Sequence, residues 1–141
     1  MITIENATVL YGEEMKALKA NVVIENHKII EISKNKINKG KKIDAKGCIV
    51  VPTFINSHVH IGDSIARDVG DGKSIDKIVK PPNGLKHRIL NESKPSSIIY
   101  SMRQSIHEMI ATGTATFVDF REGGFEAVSY THLTLPTKRI V

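Results

Sequence analysis

Two histidines one residue apart, His58 and His60, close the apolar run "VVPTFINSHVH" of residues 50–60. Side chains at i and i+2 of a strand leave the same face, so both imidazoles can be presented to one point while Val59 turns the other way. Two ring nitrogens can then approach one divalent ion at about 2.0–2.1 Å each. A His-Xaa-His tripeptide alone is weak evidence, because short motifs recur by chance. The elements that would hold the pair therefore decide its meaning.

Apolar residues occupy both alternating faces of the run through Val50, Val51, Phe54 and Ile55, the pattern of a strand covered on both sides in a parallel sheet. Pro52 interrupts it, since a central strand cannot spare an amide donor. A boundary near Pro52 follows, with a β-rich segment before it and a new core strand at 53–58. The first fifty residues read as short strands, "ITIENATVL" and "NVVIENHKIIEI", broken by Gly, Asn and Lys. Glu25 to Lys28 resembles a hairpin tip, which makes His27 a solvated turn residue.

After the histidines, the polar and glycine-bearing residues 62–95 read as a functional loop. "SSIIYSMRQSIHEMIATG" then turns helical: Ile98, Ile99, Met102, Ile106, Met109 and Ile110 form one stripe, Ser96 or Ser97 can cap the start, and Gly113 can end it. "TATFVDF" is a strand. Strand, loop, helix and strand outline a right-handed β/α crossover, and the expected parent is a parallel α/β barrel. His58 and His60 would sit at the carboxyl end of their strand, where such barrels place their chemistry.

The 141 residues are 40% hydrophobic and 25% charged, values of an ordinary globular chain. No apolar run is long enough to span a bilayer, and the N-terminus lacks a basic leader followed by an apolar stretch, so a cytoplasmic protein without a membrane partner is expected. The net charge of +5 owes much to "KNKINKGKK", residues 34–42, which carries no interleaved aromatics. That segment reads as a solvated turn, and no nucleic-acid partner is expected. The single cysteine, Cys48, cannot form an internal disulfide and reads as an inert core thiol.

A β-rich start, then "VVPTFINSHVHIGDS", then a helix ending in "TGTATFVDF", resembles the opening of the amidohydrolase superfamily, in particular its cytosine deaminase and chlorohydrolase-like branch. The match lies at Pro52, Phe54, Ile55, Asn56, His58 and His60, and departs at Thr53, where Gly is usual. The resemblance covers residues 1 to about 127. It implies an α/β fold, the start of a distorted (β/α)8 TIM-type barrel over 53–127, preceded over 1–52 by the N-terminal half of a composite β-sandwich. It also implies that His58 and His60 are the first two ligands of a catalytic divalent metal, zinc or iron. The implied reaction is hydrolysis of a carbon–nitrogen bond, with deamination of a nitrogen heterocycle through metal-activated water as the leading form. A small-molecule substrate and, for a full-length parent, compatibility with a homo-oligomer follow. The remaining ligands and the acid–base residue would come from later strands. Cyclic-amide hydrolysis and a non-catalytic scaffold relative stay open as alternatives.

Asp119, near the carboxyl end of the second strand, is a candidate for binding substrate, with loop or helix capping as its plainer role. Asp63 can orient a histidine or serve a turn. His87 lies in a segment of loop character, and His107 sits beside the helix stripe and reads as structural. Residues 128–141, "VSYTHLTLPTKRIV", resemble translated DNA-sequencing adapter and are expected to be a non-native tail, so His132 carries no functional weight. The alternative is a genuine strand through Val128, Tyr130 and Thr131. With two strands of a barrel, the fold would be truncated and the chain is expected to be inactive by itself.

Overall fold

The computed structural model describes residues 1–121; the tail at 128–141 lies outside the described residues. The chain divides into two compact units between Pro52 and Thr53.

The first unit is a five-stranded sheet. Strands β1 (Ile2–Tyr11), β2 (Lys16–Glu25) and β3 (Lys28–Ser33) form an antiparallel meander, and β4 (Lys41–Asp44) and β5 (Ile49–Val50) pair in parallel with β1. Ala7, Val9, Ala20, Val22 and Ala45 make its core. Asn26 and His27 both take positive φ at the β2–β3 tip, as a two-residue hairpin turn requires, so His27 is a turn residue. A bulge in β1 centres on Asn6, whose N–H donates to Asn21 Oδ1 at 3.0 Å. Gly40 cannot be replaced cheaply: its φ is +62°, and a Cβ there would come within 2.5 Å of the Met1 carbonyl oxygen.

Two expectations for this unit change. The lysine-rich stretch is not only a solvated turn, because it buries Ile37 and then enters β4. Cys48 is exposed rather than a core thiol. Its backbone is what the fold uses, the carbonyl accepting from Thr8 N–H at 3.0 Å.

The second unit contains β6 (Phe54–Val59), a 3-10 turn (Ile61–Ala66), α1 (Ile75–Val79), α2 (Leu85–Glu92), α3 (Pro95–Ala111) and β7 (Thr114–Asp119). Strands β6 and β7 are parallel neighbours, with Val59 opposite Asp119, which makes the fold mixed α/β. The helix stripe holds in part: Ile98, Met102 and Ile106 bury against Ile61, with Met109 and Phe117 packed alongside, whereas Ile110, expected on the same stripe, is exposed. Gly113, at φ +89°, ends α3, and its carbonyl accepts from Phe54 N–H at 2.8 Å, tying the start of β6 to the start of β7.

Three expectations are corrected here. Helix α3 begins with Pro95 at its first position and Lys94 as the flanking residue, with no serine side-chain cap. Proline is preset for that position, where its missing N–H would have had no intrahelical partner. Residues 62–95 are not one loop but hold the 3-10 turn and two short helices. Strand β6 is not covered on both sides: Phe54 is 60% and Ile55 69% exposed, because β7 is its one strand neighbour among the described residues. No helix among the described residues is long and apolar enough to cross a membrane.

Candidate metal centre

His58 lies within β6 and His60 just beyond it, at the residue that opens the 3-10 turn. The strand alternation brings them together: the two Nε2 atoms are 3.1 Å apart, with ring centroids at 5.1 Å and planes inclined by 57°. The β6 backbone is braced beneath them by Asn56, whose Oδ1 accepts from His58 N–H at 3.2 Å. Immediately past the pair, Ile61 is buried in the core. The site is thus an exposed pair of rings between a braced strand and an anchored turn.

The pair fits a divalent ion in part. Two nitrogens 3.1 Å apart lie closer than the sum of two zinc–nitrogen bonds of about 2.0–2.1 Å, so one ion can touch both. Without a cation, such an approach needs one ring to donate its N–H to the other's lone pair. Among the described residues no group of three or more His, Cys, Asp or Glu side chains could hold a metal.

The other candidates are placed elsewhere. Asp119 ends β7, and both its oxygens are engaged: Oδ1 accepts from Ile61 N–H at 2.9 Å, and Oδ2 from Arg121 Nε at 3.0 Å and Nη2 at 2.6 Å. This is a capping arrangement at the exit of the histidine segment rather than an open carboxylate. Asp63 does not orient a histidine; its Oδ2 pairs with the buried Lys86 of α2 at 2.9 Å. His87 is on α2, its Nε2 3.0 Å from the Val79 carbonyl. His107 is exposed on α3.

Phe120 is the site residue that the sequence reading passed over. Its ring stacks on His58 with centroids 4.3 Å apart and planes at 19°, and it stands 6.2 Å from His60. The pairing of Val59 with Asp119 puts Phe120, just past β7, beside the end of β6.

The 3-10 turn that follows is fastened to α3. Arg67 Nη2 donates to Ser105 Oγ at 2.8 Å, Ser105 Oγ donates to Ser64 Oγ at 2.7 Å, and Arg67 pairs with Glu108 at 2.7 Å. The hydrogen bond from Arg67 holds the Glu108 carboxyl below its usual value and raises the Arg67 guanidinium.

The site is therefore a parallel strand that ends in two converging imidazoles and is followed by a helical crossover to its neighbour. Residues 49–131 match the amidohydrolase family, and the chain belongs to that family. It is 49% identical over 128 residues to a provisionally named aminohydrolase of Methanothermobacter thermautotrophicus, covering 91% of this chain and 33% of that protein. It is 35% identical over 119 residues to the 5-methylthioadenosine/S-adenosylhomocysteine deaminase of Thermococcus sibiricus, covering 84% of this chain and 27% of that protein. Among solved structures, a triazine hydrolase variant superposes with a TM-score of 0.71 at 24% identity, over 94% of this chain and 32% of that one, a likeness of fold. The chain spans about a third of the length of the curated relatives it matches.

Proposed function

We infer that residues 1–121 form the opening of a metal-dependent amidohydrolase that deaminates a nitrogen heterocycle of a small-molecule substrate. The observation that carries this reading is the 3.1 Å convergence of His58 and His60 at the carboxyl end of a parallel strand in a chain of this family. The deaminase names among the relatives point to an adenine-bearing nucleoside as the substrate class. In such a reaction water adds at the ring carbon that bears the amino group, the carbon–nitrogen bond breaks, and ammonia leaves.

His58 and His60 would hold the ion, zinc or iron, each through Nε2. A divalent ion held there would acidify water, bringing its pKa from that of the bulk liquid to about 7. Asn56 Oδ1 accepts the His58 N–H where the β6 register shifts against β7, and buried Ile61 fixes where the chain turns away after His60. The surrounding architecture would be a (β/α)8 barrel with β6 and β7 as its first two strands, and the sheet of residues 1–52 would be part of a β-sandwich.

Two measurements test the reading. The 141-residue chain should bind zinc in competition with a chromophoric chelator, and the His58→Ala/His60→Ala double variant should not. By itself the chain should release no ammonia from 5-methylthioadenosine, since the described residues offer only two ligands. Transplanted in place of the corresponding segment of the Thermococcus deaminase, residues 1–121 should support ammonia release that the double variant abolishes. A transplant whose activity ignores the two histidines would remove them from the site.

A further inference from the structure

Three contacts leave the carboxyl end of β7 and land on the histidine segment. Asp119 Oδ1 accepts from Ile61 N–H at 2.9 Å, Phe120 N–H donates to the Val59 carbonyl at 2.8 Å, and the Phe120 ring lies on His58 at 4.3 Å. The two hydrogen bonds, one from a side chain and one from the backbone, bracket His60 between residues 59 and 61. The stack fixes the plane of His58. Arg121, bonded to Asp119 through two nitrogens, steadies the carboxylate in turn.

The need for such a device follows from imidazole itself. The second side-chain torsion of histidine is broad, so an exposed ring turns easily. Metal-ligating histidines are normally oriented by a hydrogen bond from the ring nitrogen that does not touch the metal. Among the described residues, the one ring hydrogen bond of His58 and of His60 is the one they share through Nε2. Among the described residues no hydrogen bond orients the other ring nitrogen of either histidine, and an aromatic face lies against His58.

We propose that Asp119 and Phe120 are positioning residues that preset the His58–His60 pair: Phe120 holds the ring plane of His58, and Asp119 fixes the chain just past His60. This rests on the reading that the pair holds a divalent ion, but the first arm of the test needs no metal.

In the metal-free 141-residue chain, the His58 ring protons should be shifted upfield by the Phe120 ring. That shift should vanish in F120L and persist in F120Y. Phe120 is 47% exposed, so neither change should alter the dispersed amide spectrum. In the second arm, F120L should lower zinc affinity about tenfold or more while F120Y stays near the original value, as expected for a group that orients a ligand. Asp119→Ala should lower affinity and Asp119→Asn, which keeps the acceptor for Ile61 N–H, should restore it; this pair decides the matter even if F120L unfolds. Unchanged His58 signals in F120L overturn the proposal, as does a lost shift with zinc affinity unaltered. If the original chain binds zinc no better than His58→Ala/His60→Ala, the metal reading falls, and the ring signals alone then sustain or overturn the positioning of His58.

Discussion

The two units solve the same problem, holding strands in place, by different means. In residues 1–52 the side chains of β1 and β2 bury one another: Ala7, Val9, Ala20 and Val22 are at most 5% exposed. In the second unit the strand bearing the histidines is bare along its length, with Phe54 and Ile55 more than half exposed. It pairs with β7 along one edge and is fastened at its ends, by Gly113 at the start and by Val59, Ile61, Asp119 and Phe120 at the finish. Burial along a strand gives stability, whereas fixing its end gives geometry. The difference separates a sheet held by its own core from a strand whose faces are open because β7 is its one strand neighbour among the described residues.

The largest test of that separation is Met102→Ala. Met102 is 1% exposed at the centre of the second core, and removing such a side chain costs about 2–5 kcal/mol. Hydrogen exchange should show β6, β7 and α3 losing protection while β1 to β3 keep theirs. Loss of protection in both units together would break the comparison and make them one cooperative body.

Next in size is the site. His58→Ala or His60→Ala should weaken zinc binding by about 100-fold, at or above the upper end of what changes behind the ligands cost. Both rings are exposed, so the melting transition of the metal-free chain should not move. A drop in metal-free stability would mean that the pair serves the fold.

How much of this was legible in the sequence follows from the range of each interaction. The His58–His60 convergence needs only the period of two in a strand, and the buried stripe Ile98, Met102, Ile106 needs only the helical repeat, so local pattern suffices for both. Phe120 on His58 depends on the register of two strands separated by a helical crossover, which no local pattern carries. Lys86 is hidden for a related reason. A lysine in a polar stretch reads as solvated until the turn that brings Asp63 to it is known. Cys48 misled in the opposite direction: apolar neighbours suggested burial, but it falls in a turn just before a two-residue strand. Helix α3 starts ahead of Ser96 and Ser97 because the fixed φ of Pro95 suits the first helical position.

A smaller effect belongs to the first unit. Asn21 is 9% exposed and joins two segments, accepting from Asn6 N–H at 3.0 Å and donating from Nδ2 to the Asn35 carbonyl at 2.8 Å. Asn21→Ala leaves both groups to find water, at about 1 kcal/mol. A shift of that size in chemical denaturation of the sheet, with zinc binding by the second unit unaltered, would sharpen the contrast between the units.

The smallest expected effect is acid sensitivity, and each unit has its own carboxylate to test. The Asn6 amide, and then the Lys46 backbone N–H, hold Asp44 below its usual value. Arg67 does the same for Glu108 in the second unit. A carboxyl whose folded value is depressed contributes stability above its unfolded value, about 4, and loses it as pH falls through the folded one. Both units should therefore be insensitive to these groups above about pH 5 and should loosen below about pH 4. Arg67, whose guanidinium is raised, stays charged throughout that window and adds no slope of its own. Asp44→Asn should flatten the acid limb of the first unit alone, and Glu108→Gln that of the second alone. All of these groups are solvent-exposed, so the changes should be small and should shrink further in salt. If one substitution flattens the acid limb of both units, then Asp44 or Glu108 reports on a shared structure, and the division at Pro52 is one of contacts rather than of stability.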